Sequence, residues 1–140
     1  MSKQKSTLVL KNIMHKLFLQ TASILAAITV AMGAFGAHKL KSMVSESAVS
    51  TFETGVRYQF YHVFALFVTA IVYSQFPNKF VNASGWLFLA GILLFSGSLY
   101  ILTYKAATVS NGFSWAGPIT PLGGLCFIVG WVLLAVGVSK

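Results

Sequence analysis

Charge is the scarcest property of this chain. Only 9% of its 140 residues are charged, two of them acidic, against 56% hydrophobic. A soluble domain of ordinary composition carries about a quarter charged residues. The few charges are also segregated between long apolar runs, so an ordinary soluble domain is excluded and an integral membrane protein remains. Cysteine is nearly missing too: Cys126 stands alone inside an apolar run. It can form no internal disulfide and reads as a packing residue. There is no Cys-x-x-Cys or His-x-x-x-His spacing, so His38, His62 and Glu53 fall short of a metal site. Ser96 and Ser98 sit in no nucleophile-elbow pattern and no zincin pattern occurs, so no catalytic residue and no cofactor is assigned. Serines flanking a glycine in a membrane helix more often make helix contacts. The spans carry no midplane acid for a proton-coupled exporter, and no internal repeat supports an inverted-repeat transporter.

The formal net charge is +8, which in a soluble protein would suggest nucleic acid. Here four of the ten basic residues, Lys3, Lys5, Lys11 and Lys16, precede the first apolar run. They read as topology determinants and contacts to anionic lipid head groups. No basic stripe interleaved with stacking aromatics occurs elsewhere, so nucleic acid is not a partner.

The chain divides into a basic segment, residues 1–16, and a four-helix transmembrane domain, residues 17–138. Leu10, Ile13, Met14 and Leu17 recur at helical spacing, which suits an amphipathic lead-in on the membrane surface; a frayed basic tail is the alternative. The first span, about 17–37, has no formal charge and would be about 31 Å long. That exceeds the h-region of a signal peptide, about 7–15 residues, and more spans follow, so it reads as retained. Lys39–Thr54 is mixed in charge with an intermittent apolar face, and Ser45-Glu46 is a helix start. A short interfacial helix is expected there, feeding the second span, about 56–76, which Pro77-Asn78-Lys79 closes. The third span covers about 85–104. The fourth, about 119–138, opens on Pro118 and Pro121, tolerated in a first helical turn. Small residues mark candidate packing sites: Gly33, Gly36 and Ala37, then Gly97, then Gly123, Gly124 and Gly130.

The segment from Glu53 to His62 brings ionisable groups to the mouth of an apolar run. An ionised side chain at a membrane helix centre costs about 2.5–3.5 kcal/mol, so it normally finds a partner or a wet cavity. At helical spacing Glu53, Arg57 and Tyr61 share one face, with Tyr58 and His62 on an adjacent one, and Gln59 belongs to the same polar segment. Glu53 and Arg57 are expected to pair. The N-terminal segment, Lys79 and Lys140 hold six basic residues; Lys39, Lys41, Arg57 and Lys105 lie on the other side with both acids. The positive-inside rule then puts both termini in the cytoplasm. With the first two spans antiparallel, His38 and Arg57 share a depth near the far interface. His62 lies about 7.5 Å deeper, level with Gly33. Ser96, Ser98 and Tyr100 end the third span on that same side, where the fourth begins, so one polar layer is expected there. His62 is expected to be buried beside Gly33, bonded to tyrosine, serine or backbone.

The four stretches G-A-F-G-A-H-K-L, E-T-G-V-R-Y-Q-F-Y-H, F-S-G-S-L-Y and P-I-T-P-L-G-G occur in this order. In them the chain resembles the small membrane proteins grouped as domain of unknown function 423, a family similar in turn to transmembrane protein 256. The resemblance covers about residues 17–138. It implies a four-helix integral protein of a bacterial inner membrane and brings no activity or site residues. The reading is a non-enzymatic bundle whose polar layer is structural or binds lipid or a partner, including a second copy of the chain. The alternative is a small transporter or channel with the Arg57–His62 layer as its mouth. A water-accessible path from that layer to the Lys79 side would favour the alternative, and the sequence offers no polar groups to line one.

Overall fold

A computed structural model describes residues 2–108 and 112–140, with side chains described for 16–108 and 112–140. The lead-in's Lys3, Lys5 and Lys11, expected at lipid head groups, therefore have side chains outside the described residues. The described chain is all helix and turn: α1 (Ser2–His38), a single 3-10 turn at Leu40–Ser42, α2 (Glu46–Gln75), α3 (Lys79–Gly91), a π-helical segment (Ile92–Ser96), α4 (Gly97–Thr108) and α5 (Ala116–Val138). α3, the π segment and α4 form one continuous rod. Four stretches are long and apolar enough to cross a membrane: Lys16–Ser42, Glu46–Gln75, Lys79–Thr108 and Ala116–Val138.

Two helix starts follow directly from side-chain chemistry. The Ser45 hydroxyl accepts from the Ala48 amide, so the expected interfacial helix is the first turns of α2 itself, unbroken into the span. Asn78 caps α3 by accepting from the amides of Phe80 and Val81, and its own amide donates to the Gly137 carbonyl at 2.8 Å. This capping starts the third rod at Lys79, six residues before the expected span. At its far end the rod runs on past 104 to Thr108.

α2 and the α3–α4 rod are neighbours; α1 packs along α2, and α5 packs along α3, the π segment and α4. The main core joins Phe18 and Ala22 of α1 to Val63, Leu66 and Ala70 of α2, Val81 and Phe88 of α3, and Phe127 and Leu134 of α5. A second cluster, Leu40, Val49 and Phe52, packs beyond it beside Tyr100. Many large apolar side chains stay exposed on the outer faces, among them Ile24 at 62%, Leu93 at 72% and Ile128 at 63%. Faces of that kind are stable against lipid or another protein surface.

α3 and α5 approach closely because glycines face aromatic rings. A Cβ on Gly130 would meet Phe88 at 2.8 Å, and one on Gly123 would run into the Phe95 backbone. The other packing candidates differ. A Cβ on Gly33 would make only ordinary contact with Val56, and one on Gly124 ordinary contact with Phe95. Ala37 is exposed, and a Cβ on Gly97 would meet nothing within 4 Å. On α1 the tight position is Gly36, against Phe52.

Candidate functional site

The residues singled out in the sequence divide between two interior clusters and one groove. In the first cluster the Gln59 amide of α2 donates to Thr29 Oγ1 of α1 at 2.7 Å. The Tyr100 hydroxyl of α4 donates to Gln59 Oε1 at 2.9 Å, and Thr29 passes its own proton to the Leu25 carbonyl. Gln59 is 4% exposed, so both ends of its amide are bonded where water is scarce. This chain joins three helices.

The second cluster holds His62, which is 6% exposed. Its ring lies parallel to Phe127 of α5 with centroids 3.4 Å apart, and Phe88 and Trp131 pack nearby. Trp131 Nε1–H donates to His62 Nε2 at 3.3 Å, and Nδ1 lies 2.8 Å from the Tyr58 carbonyl. An indole can only donate, so Nε2 accepts and Nδ1 carries the proton toward Tyr58. That corrects the expected placement: His62 faces α3 and α5, and the neighbour of Gly33 is Val56. The cause is rotation: α2 turns Val56 toward Gly33 of α1, and His62 lies about 120° around the helix from Val56. Further out, the Ser98 and Thr120 hydroxyls are 2.7 Å apart, joining α4 to α5. The Ser96 hydroxyl is fully buried in the π segment without a hydrogen-bond partner among the described residues.

The groove lies between α1 and α2. Its volume is about 410 Å³, within the range of roughly 300–1,000 Å³ usual for small-molecule sites. Thr29, Val30, Gly33, Gly36, Phe52, Val56 and Phe60 form its wall; Glu53, Arg57 and Tyr61 line it with polar groups. All three polar side chains are exposed. Glu53 and Arg57 form no ion pair or hydrogen bond among the described residues, so the expected pairing is corrected. An exposed pair at this spacing gains only about 0.3–0.5 kcal/mol, too little to hold two long side chains together.

Contacts between helices fix the depth of this groove. Gly55 lies against Leu99 and Tyr100, and Ser98 against Thr120 in the first turns of α5. Arg57, half a turn past Gly55, is therefore level with the first turns of α5, with the apolar wall running from it toward Val30 and Phe60. His38 lies elsewhere, exposed in the last turn of α1. Tyr58 packs on Phe95 across the π segment, with centroids 4.7 Å apart. No group of three or more histidine, cysteine, aspartate or glutamate side chains gathers among the described residues.

Four transmembrane helices, two satisfied polar clusters and one half-open interfacial groove define a small polytopic membrane protein. The sequence profile of a protein family of unknown function, DUF423, matches residues 32–124. The chain belongs to that family. It is 40% identical over 126 residues to the UPF0382 membrane protein YwdK of Bacillus subtilis, covering 89% of this chain and 98% of the relative. It is 41% identical over 125 residues to the UPF0382 membrane protein SAB0533 of Staphylococcus aureus, covering 89% and 97%. A UPF0382 membrane protein of Haemophilus influenzae is 40% identical over 127 residues, covering 91% and 97%. No solved structure matches the fold.

Thr29, Thr120, Trp131 and Phe127 complete these clusters, and sequence reasoning passed over all four. Trp131 carried a usable signal. An indole N–H inside a membrane span must find an acceptor, and His62 is a neutral acceptor in a neighbouring span.

Proposed function

We propose that this protein binds a membrane lipid and has no catalytic activity of its own. One lipid lies in the α1–α2 groove, its tail along Val30, Gly33, Val56 and Phe60 and its head against Arg57. The observation that carries this reading is Arg57 itself. It is a permanently charged guanidinium without a partner among the described residues, at an apolar groove near the membrane interface. Such a group gains most from a phosphate that it can hold bidentately. Conduction has less support, because Thr69 and Ser84, buried closer to the Lys79 end, spend their hydroxyls on carbonyls of their own helices. We place both termini on the cytoplasmic side of a bacterial inner membrane, so the groove opens at the opposite face.

The test is lipid mass spectrometry on protein extracted with its surrounding membrane and then washed in mild detergent. The parent should retain about one phospholipid per chain. Arg57→Gln, which removes the charge, and Gly33→Phe, which fills the groove, should each lose it. Equal retention by the parent and both variants refutes the assignment.

A further inference from the structure

The groove carries two charges, and they stand in a definite order of depth. Arg57 lies one helical turn inward of Glu53, about 6 Å along the axis. Both line the same groove, both are exposed, and neither has a partner among the described residues. A glutamate one turn N-terminal to a cation is the favoured orientation for pairing on a helix, yet these two stay apart. The other cations at this end do not contribute to the groove lining: Lys41 lines a separate hollow with Glu46, and Lys105 donates to Ser114. The groove thus offers, from the membrane outward, an apolar wall, one positive charge and one negative charge.

We propose that the head it takes is that of a zwitterionic aminophospholipid, with phosphate on Arg57 and primary ammonium on Glu53. This rests on the lipid reading above and narrows it to one head-group class. The order of the lipid's own parts matches the order of the groove: acyl chain deepest, phosphate next, ammonium outermost, two carbons beyond. An anionic lipid such as phosphatidylglycerol also satisfies Arg57, but it presents hydroxyls and net negative charge to Glu53. The Glu53 carboxylate then has no cation, and its repulsion of the phosphate disfavours that lipid. A primary ammonium gives Glu53 both charge and N–H donors; the quaternary ammonium of phosphatidylcholine gives charge alone.

The experiment uses the full chain in detergent micelles doped with phosphatidylethanolamine, phosphatidylglycerol or phosphatidylcholine of matched acyl chains, with bound lipid read by native mass spectrometry. The parent should retain phosphatidylethanolamine over each of the others by about two- to fivefold, the upper half of the range for one exposed ion pair. Glu53→Gln should abolish that preference while still holding phosphatidylglycerol. Arg57→Gln should lose all three, with a melting temperature near the parent's to show that it folds. If the parent prefers phosphatidylglycerol, or if Glu53→Gln keeps the parental preference, the head-group assignment is overturned and the lipid groove stands. Retention of phosphatidylcholine equal to phosphatidylethanolamine overturns the hydrogen bond to Glu53. If no lipid is retained above bulk by any form, both readings fall.

Discussion

His62 shows how residue type and residue placement part company. A histidine near the mouth of a span invites a functional role, but here its two nitrogens are used by the Tyr58 carbonyl and Trp131. It also lies on the side of α2 away from the groove. His62→Phe keeps the stack on Phe127 and removes the acceptor for Trp131. We expect a stability loss of about 1–3 kcal/mol, the cost of an indole donor left without an acceptor inside a membrane span, with lipid retention unchanged. Thermal melting in detergent and the lipid assay measure the two separately; lost retention with unchanged melting would return His62 to the binding site. Glycines separate just as sharply. Gly123→Ala pushes a Cβ into the Phe95 backbone, so something must shift, at about 1–3 kcal/mol. Gly97→Ala adds a methyl in open space within a helix and should be neutral or stabilise by about 0.5–1 kcal/mol. Equal melting temperatures for the two variants would refute the packing account. The sequence marks both glycines alike, because spacing shows that a small residue is present and not whether anything approaches it.

At the scale of elements, one helix start was read, one was missed and one interior feature had no signature. Ser45 and Asn78 are short polar side chains just ahead of apolar runs, and each caps its helix, but Asn78 was read only as part of a turn, so the third rod begins six residues before its expected span. The π segment Ile92–Ser96 has no such residue signature; it reads as ordinary apolar helix. Its effect is large, since a π-bulge amounts to about one extra residue in an α-helix. Counting at 3.6 residues per turn from Phe88 through this segment misplaces Ser98 and Tyr100 by about 100°. Those two side chains make the bonds to Thr120 and Gln59. Deleting exposed Leu93 should therefore convert the segment to regular α-helix and leave both halves of the rod facing their partners. Deleting Ala83, more than two turns upstream, puts Gly85, Phe88 and Gly91 out of register even if the bulge absorbs the loss, and should abolish folding. Detergent-stable expression distinguishes them: an unfolded Leu93 deletion beside a folded Ala83 deletion would contradict the register argument.

For the whole molecule, depth was readable and rotation was not. Counting rise along antiparallel spans brings the Gln59, Tyr100 and Thr120 regions to one end of the bundle, because length per residue is fixed by helix geometry. The rotation of each helix is set by which face meets protein, and in a membrane both faces are apolar, so hydrophobicity does not distinguish them. That is why Gly33 meets Val56 and not His62. Orientation across the bilayer rests on a different quantity, the bias of basic residues. The four spans alternate, so Lys79 and Lys140 share an end, where both amines lie over the ring of Phe80 at 5.2 and 4.6 Å. Lys39, Lys41, Arg57 and Lys105 share the other with Glu46 and Glu53, which offset part of their charge but count little in the rule. With Lys3, Lys5, Lys11 and Lys16, the end that holds the termini has six basic residues against four. In a chain with Cys126 replaced by alanine, Ser139→Cys should resist a membrane-impermeant maleimide in intact cells, and Ser42→Cys should react. Removing the bias should also loosen the orientation, so replacing Lys79 and Lys140 with glutamine, which leaves four basic residues at each end, should yield a fraction of chains labelled at position 139. Labelling of Ser139→Cys from outside in the otherwise parental chain would invert the assignment. It would place the Arg57 groove on the cytoplasmic face, where the aminophospholipid would have to come from the inner leaflet.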